Sequence, residues 1–140
     1  FIADYAHLLL PAYRERLPSF NQARLEYRRR RLDAALLLLQ KADYRDPLLH
    51  LAAKTLQLKI FYELGEYDLL TAHLQTMQAF VGRKKTSLGY HRDNYLALLR
   101  FTRKLLETNL FEKNLRAALR SNIEQTKAVA EREWLLEQVA

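Results

Sequence analysis

The chain has no cysteine among its 140 residues. This excludes disulfide bonds, zinc sites built on thiolates and a cysteine nucleophile. A lack of cysteine also fits a reducing compartment, where disulfides are rare. We therefore expect a cytoplasmic location, and any targeting signal or membrane anchor would have to precede Phe1.

Turn-forming residues and long apolar runs are also scarce. The chain has only three glycines and three prolines, which leaves few positions for tight turns. Its four most frequent residues, Leu, Ala, Arg and Glu, all favour helix, as does Gln. The longest apolar run, Ala34 to Leu39, is far shorter than a membrane-spanning helix. The sequence thus predicts an all-α domain with no membrane segment.

Helical periodicity divides this single predicted domain into four parts. They are the end of a preceding helix pair, two complete pairs and a set of C-terminal helices, at residues 1–17, 19–45, 47–82 and 89–140. Because the chain starts without Met, we interpret it as the C-terminal piece of a longer protein. Two glycines and a charge run predict a loop at Val81–Gly89, whereas Phe111–Val139 could form one helix or two.

Apolar stripes at helical spacing predict the core. They comprise Leu70, Leu74 and Met77 in one helix and Tyr95, Leu98, Thr102 and Leu105 in another. Four consecutive leucines, Leu36 to Leu39, predict a helix that is buried on most sides.

The two central helix pairs match each other at a shift of 35 residues. The matched positions include Tyr27 with Tyr62, Asp33 with Asp68, Ala35 with Leu70, Leu39 with Leu74, and Gln40 with Gln75. In the second pair the bend falls in Tyr62-Glu63-Leu64-Gly65-Glu66-Tyr67-Asp68, where a glycine can end a helix. The chain therefore contains a repeated helix–turn–helix unit.

A helix–turn–helix period of this length resembles the tetratricopeptide repeat. The Tyr62–Asp68 stretch is similar to that family's tyrosine–glycine–acidic–tyrosine turn, and Ala35, Leu39, Ala42 and Asp46-Pro47 stand at its second-helix and closing positions. The resemblance implies an α-solenoid of stacked antiparallel helix pairs with a helical C-terminal cap. Uncharacterised bacterial proteins carry divergent repeats of this kind.

The chain departs from the family pattern at several positions. The turn glycine is replaced by Arg30 in the first unit, and the small residue of the first helix is Leu58 in the second. The leucine that precedes this small residue is Gln22 in one unit and Gln57 in the other, and Leu70 stands where alanine is usual.

No pattern of catalytic or cofactor-binding residues is present. The four histidines, His7, His50, His73 and His91, lack the spacing of a metal site. Gly82 and Gly89 flank Arg83-Lys84-Lys85 but lack the strand and spacing of a phosphate-binding loop. The sequence therefore predicts a non-enzyme without a metal or cofactor.

The predicted role is a scaffold that binds another protein or peptide. In stacked helix pairs the first helices line the concave side. The polar first-helix residues that would face this groove are Gln22, Glu26, Arg29, Gln57 and Glu63. Self-association through exposed repeat ends is a further expectation.

An alternative role comes from the charge distribution. Residues 83–120 hold ten Lys or Arg against three Asp or Glu, so this stretch alone carries the net charge of +7. The cations proposed to form a patch are Arg83, Lys84, Lys85, Arg100, Arg103, Lys104, Arg116 and Arg120. With Tyr90 as a stacking surface, such a patch favours a nucleic-acid-associated helical domain.

Overall fold

Every regular element in the part of the chain that the structure describes is a helix. The structure is a computed structural model and describes residues 19–41 and 45–140. Its helices are α1 (Ser19–Arg28), α2 (Leu32–Lys41), α3 (Pro47–Leu64), α4 (Tyr67–Arg83), α5 (Lys85–Leu88), α6 (His91–Glu107), α7 (Lys113–Gln125) and α8 (Arg132–Gln138). This confirms the all-α prediction. The helix predicted within residues 1–17 and the matched position Ala42 lie outside the described residues.

The chain divides into two compact units. Unit 1 extends to Glu66, and unit 2 comprises Tyr67–Ala140. Among the described residues, no helix combines the length and the apolar character that spanning a bilayer requires. The stacking of all helix pairs into one solenoid stays a prediction.

In unit 1 the core lies where α1, α2 and α3 pack together. Its buried residues are Ala23, Ala35, Leu39, Ala53, Leu56 and Ile60, with Phe20, Tyr27, Leu32, Leu36 and Leu38 packed around them. Half of the buried set is alanine, and small side chains at a contact let helix axes approach closely. The remaining Leu and Ile side chains fill the space between the three helices.

The run of four leucines in α2 is less buried than predicted. Leu39 is 4% exposed, whereas Leu37 is 59% exposed. Successive residues of a helix point about 100° apart, so four in a row cannot all reach one core. The prediction that α2 is buried on most sides is therefore wrong at Leu37.

The turns after α1 and α3 have the same backbone hydrogen bonds, 35 residues apart. In each, one N–H bonds the carbonyl three residues back, and the next N–H bonds the carbonyl five residues back. The bonds are Arg30 N to Tyr27 O (3.0 Å), Arg31 N to Glu26 O (2.8 Å), Gly65 N to Tyr62 O (3.1 Å) and Glu66 N to Phe61 O (2.9 Å). Both turn residues are left-handed, with φ 62° at Arg30 and 75° at Gly65, as in a Schellman motif.

Burial follows the same shift. The residue pairs Ala23 and Leu58, Ala35 and Leu70, and Leu39 and Leu74 are all buried. The 35-residue correspondence thus extends from sequence to turn geometry and core positions. Arg30 takes the left-handed conformation in the first unit, at a cost of about 1–2 kcal/mol relative to glycine.

Two glycine-to-alanine substitutions are expected to have opposite effects on stability. Gly65→Ala should lower the free energy of unfolding by about 1 kcal/mol, because φ 75° is strained for alanine. Gly82→Ala should raise it by up to about 1 kcal/mol, since Gly82 lies within α4 and has open space around it. Urea unfolding of both variants checks this. Equal effects at the two positions would contradict it.

In unit 2, α6 is the central helix and packs against α4 and α8, while α8 also packs against α7. The predicted stripe on α4, Leu70, Leu74 and Met77, is buried. The predicted stripe on α6 is confirmed at Leu98, Thr102 and Leu105, which are buried, whereas Tyr95 is only partly buried.

Three connections of unit 2 differ from the predictions or complete them. The predicted loop at Val81–Gly89 is wrong, because α4 continues to Arg83 and α5 follows at Lys85, with Leu88 buried. The connection after α6 begins at Thr108, the residue that caps the end of this helix. The region left open as one helix or two is two helices, α7 and α8.

The segment between α7 and α8 is held by main-chain contacts. Ala130 N donates to Asn94 O of α6 at 3.0 Å. The guanidinium of Arg132 donates to four carbonyls at the end of α7, which are Ile123 O (2.7 Å), Glu124 O (3.1 Å), Thr126 O (2.7 Å) and Lys127 O (3.2 Å). A cation that bonds the last carbonyls of a helix also complements its dipole. Arg132 therefore caps α7 from the start of α8.

Candidate functional site

Glu63, one of the predicted groove residues, lies in a polar cluster at the end of α3. Its carboxylate accepts a hydrogen bond from the Tyr27 hydroxyl at 2.5 Å. It also accepts one from Arg30 Nη1 at 2.8 Å. Both partners come from α1 and the turn that follows it, so Glu63 joins the end of α3 to the first repeat turn.

The ring of Tyr27 completes this cluster. The Arg30 guanidinium carbon lies 5.6 Å and Lys59 Nζ 5.0 Å from its centroid, within the range of cation–π contacts. Burial, and then the hydrogen bond to Glu63, raise the pKa of Tyr27 above its ordinary value. The hydroxyl therefore stays protonated and donates to Glu63. We call Tyr27, Arg30, Lys59 and Glu63 the Tyr27 cluster.

Two other predicted groove residues, Glu26 and Arg29, pair within the chain. Glu26 lies 3.8 Å from Arg29 Nη1 and 3.5 Å from Arg31 Nη1. Neither pair is fully buried, and ion pairs near the surface contribute little to stability, at about 0–1 kcal/mol each. A partner that pairs with Glu26 or Arg29 would therefore replace a weak ion pair within the chain with one across the interface.

The two glutamines of the predicted groove are both partly buried. In Gln57 the side-chain oxygen Oε1 is fully buried, and no described residue donates a hydrogen bond to it. A buried acceptor without a donor costs about 1–3 kcal/mol. At the position of Gln57, the tetratricopeptide repeat that this sequence resembles carries leucine.

Gln57→Leu is expected to raise the free energy of unfolding by about 1 kcal/mol. The substitution removes the buried unpaired oxygen and keeps a side chain of similar length. Urea denaturation measures the change. Gln125→Leu on exposed α7 is the control, where the change should stay within about 0.5 kcal/mol. Destabilisation by Gln57→Leu would show that the amide serves the fold.

The cations of the predicted basic patch are spread over four elements of unit 2. Arg83 ends α4, Lys84 follows it and Lys85 begins α5. Three more, Arg100, Arg103 and Lys104, are on α6, and two, Arg116 and Arg120, are on α7. Both α7 arginines are engaged locally, since Arg116 Nη1 donates to Leu110 O at 3.0 Å and Arg120 Nε pairs with Glu124 at 2.9 Å.

The three α6 cations lie on one side of the helix, with Arg100 and Lys104 exposed and Arg103 partly buried. We call Arg100, Arg103 and Lys104 the basic stripe. The stripe lies on a helix whose other faces are buried through Ala97, Leu98, Leu99, Phe101, Thr102 and Leu105. Arg103 Nη1 donates to Gln78 Oε1 on α4 at 3.0 Å, and the Arg100 guanidinium lies 4.9 Å from the Phe101 ring centroid. These contacts hold two of the three cations in place.

Two exposed aromatic residues flank α6 in the sequence, Tyr90 directly before it and Phe111 four residues after its end. Tyr90, predicted as a stacking surface, is 81% exposed and stacks on His91 with centroids 4.1 Å apart. Phe111 is 96% exposed, just before α7. Sequence reasoning missed Phe111 as a surface feature because it was placed at the start of the helical region Phe111–Val139. Its position beside the break at Thr108 was the available signal.

Within residues 19–41 and 45–140, no three His, Cys, Asp or Glu side chains come together in a way that could hold a metal ion. Comparison of the chain with protein-family models, curated proteins and solved structures finds no match.

Proposed function

We propose that this chain is a non-catalytic helical-repeat scaffold of the tetratricopeptide type that binds another protein. The observation that supports it is the pair of left-handed turns with identical hydrogen bonds 35 residues apart. A repeated helix–turn–helix unit of this length is typical of solenoid scaffolds. The partner is a protein or peptide that docks on the first helices of each pair, and the scaffold acts in the cytoplasm.

The proposed groove includes Gln22 and Glu26 on α1, Arg29 in the turn after it, and Gln57 and Glu63 on α3. Because Glu63 is held in the Tyr27 cluster, it shapes the groove rather than contacting the partner first. Gln22 and Glu26 on α1, and Arg29 directly after it, are partly exposed and are the residues that a partner can reach. The first test therefore changes α1.

The test is quantitative capture of proteins from host lysate on the immobilised chain, with two charge-matched variants. The groove variant is Gln22→Lys with Glu26→Lys, and the control is Gln125→Lys with Glu124→Lys. Each pair changes one glutamine and one ion-paired glutamate. We expect a protein that binds saturably to the wild type and to the control variant but does not bind to the groove variant. A partner retained equally by all three would place binding outside the groove, and no saturable partner would contradict the scaffold.

A second candidate function is association with nucleic acid. Arg83 and Lys85 are exposed and form no ion pair with any described residue, and the exposed ring of Tyr90 follows them. Free cations beside an exposed aromatic residue can bind a single strand. Binding of mixed single- and double-stranded nucleic acid should then weaken steeply as salt rises. An absence of salt-sensitive binding at low ionic strength would remove this candidate.

A further inference from the structure

The basic stripe on α6 is short and is bounded by acids at both ends. Asp93 lies seven residues before Arg100, and Glu107 lies three residues after Lys104. At about 100° per residue, all four fall within one exposed strip of the helix. The positive part of the strip therefore extends only from Arg100 to Lys104, about 6 Å along the axis.

Among the described residues, neither Arg100 nor Arg103 forms an ion pair. The sequence of α4 contains a single acid, Asp68, and the stripe meets α4 at the neutral amide of Gln78. On α6, Tyr95 lies near Glu131, whose charge adds to burial in raising the Tyr95 pKa. Tyr95 is about 140° around the helix from Arg100, so Glu131 is on the opposite side. The remaining contact, Lys104 with Glu107, is exposed and 3.9 Å long.

This geometry distinguishes between two kinds of anionic partner. A long polyanion that follows the α6 axis would meet Asp93 at one end and Glu107 at the other, and like charges repel. A helix with two carboxylates four residues apart presents them about 6 Å apart. The distance between the two carboxylates equals the axial length of the basic stripe. The carboxylates can therefore pair with its cations without approaching Asp93 or Glu107.

We propose that the basic stripe, Arg100, Arg103 and Lys104, docks an acidic helical segment of a partner protein. This inference deepens the proposed scaffold function and depends on it for the identity of the partner. Arg103 provides a cation already oriented by Gln78, and the exposed Arg100 and Lys104 pair with the two carboxylates. The surrounding buried face keeps α6 rigid, which lowers the entropy lost on docking.

The test measures fluorescence anisotropy of the full chain with a labelled, alanine-based helical peptide of about 20 residues. The peptide carries glutamate pairs four residues apart, and a second peptide carries glutamine at those positions. The stripe variant has Arg100→Gln, Arg103→Gln and Lys104→Gln. At about 50 mM salt we expect it to bind the glutamate peptide about tenfold more weakly than the wild type.

The control variant removes the same number of cations from elsewhere in unit 2. It has Arg83→Gln, Lys85→Gln and Lys113→Gln, which are exposed and without an ion pair to any described residue. We expect its affinity for the glutamate peptide to stay within about twofold of the wild type. Equal losses in both variants would overturn the inference, because they would show a diffuse effect of net charge. Equal affinity of the wild type for the glutamine peptide would overturn it too.

Single-stranded oligothymidine is the competing probe. Tighter binding of oligothymidine than of the glutamate peptide, lost in the stripe variant, would assign the stripe to nucleic acid and overturn the proposal. The lysate capture distinguishes a failure of docking at the stripe from a failure of the scaffold function. A partner retained by the stripe variant would leave the scaffold function in place and remove the stripe as its docking site, whereas no partner for the wild type would remove the scaffold function itself.

Discussion

Leu39→Ala is expected to lower the free energy of unfolding by about 2–5 kcal/mol, whereas Leu37→Ala should lower it by less than about 1 kcal/mol. Leu39 is 4% exposed within the core of unit 1, and Leu37 is 59% exposed on the same helix. Alanine leaves a cavity only at Leu39. Because both changes are made in α2, any effect of helix propensity is the same in each.

Urea denaturation followed by far-ultraviolet circular dichroism measures both variants. This probe is needed because the only tryptophan, Trp134, lies in unit 2. A loss below about 0.5 kcal/mol at Leu39 would contradict the packing of α2 against α1 and α3. Similar losses at the two positions would show that the outer face of α2 is covered.

Arg132→Ala is expected to destabilise unit 2 by about 2–4 kcal/mol. The guanidinium donates to four main-chain oxygens at the end of α7, at distances of 2.7–3.2 Å. Its Nη1 bond to Ile123 O and its Nη2 bond to Thr126 O are partly buried. Alanine leaves these carbonyls without a donor and removes the cation from the negative end of the helix dipole.

The fluorescence of Trp134 reports this unfolding, because Trp134 is buried two residues after Arg132. Arg132→Lys should recover only part of the loss, since an ammonium group cannot reproduce the planar fork of donors. Arg120→Ala, on the exposed face of α7 with one ion pair, is the control and should cost less than about 1 kcal/mol. Equal costs for Arg132→Ala and Arg120→Ala would contradict the capping role.

The parts of the fold that were predictable from sequence are those set by local periodicity and turn chemistry. The stripe of Leu70, Leu74 and Met77 is buried because residues three and four apart share a helix face. The turn at Gly65 was predictable because glycine favours the left-handed conformation that ends α3. The comparable turn at Arg30 became visible only through the shift of 35 residues.

The parts that were missed depend on contacts between residues far apart in sequence. The Val81–Gly89 segment looked like a loop, yet Leu88 is buried and the segment is largely helical. The candidate groove was predicted as free polar residues, but the bond between Tyr27 and Glu63 joins positions 36 apart. The basic stretch was predicted as one patch, and only the fold shows that three of its cations share one side of α6, where two are exposed and Arg103 is partly buried.

Arg132 has a consequence for how this sequence can change over evolutionary time. Its hydrogen-bond partners among the described residues are all main-chain oxygens, and every residue type supplies such an oxygen. Substitution of the residues that provide these oxygens would therefore leave the bonds to Arg132 possible, whereas substitution of the arginine would remove them. Among related chains we expect an invariant arginine opposite a variable acceptor segment. A search for covarying positions would therefore not detect this contact, because a change in the acceptor residues needs no change in the arginine.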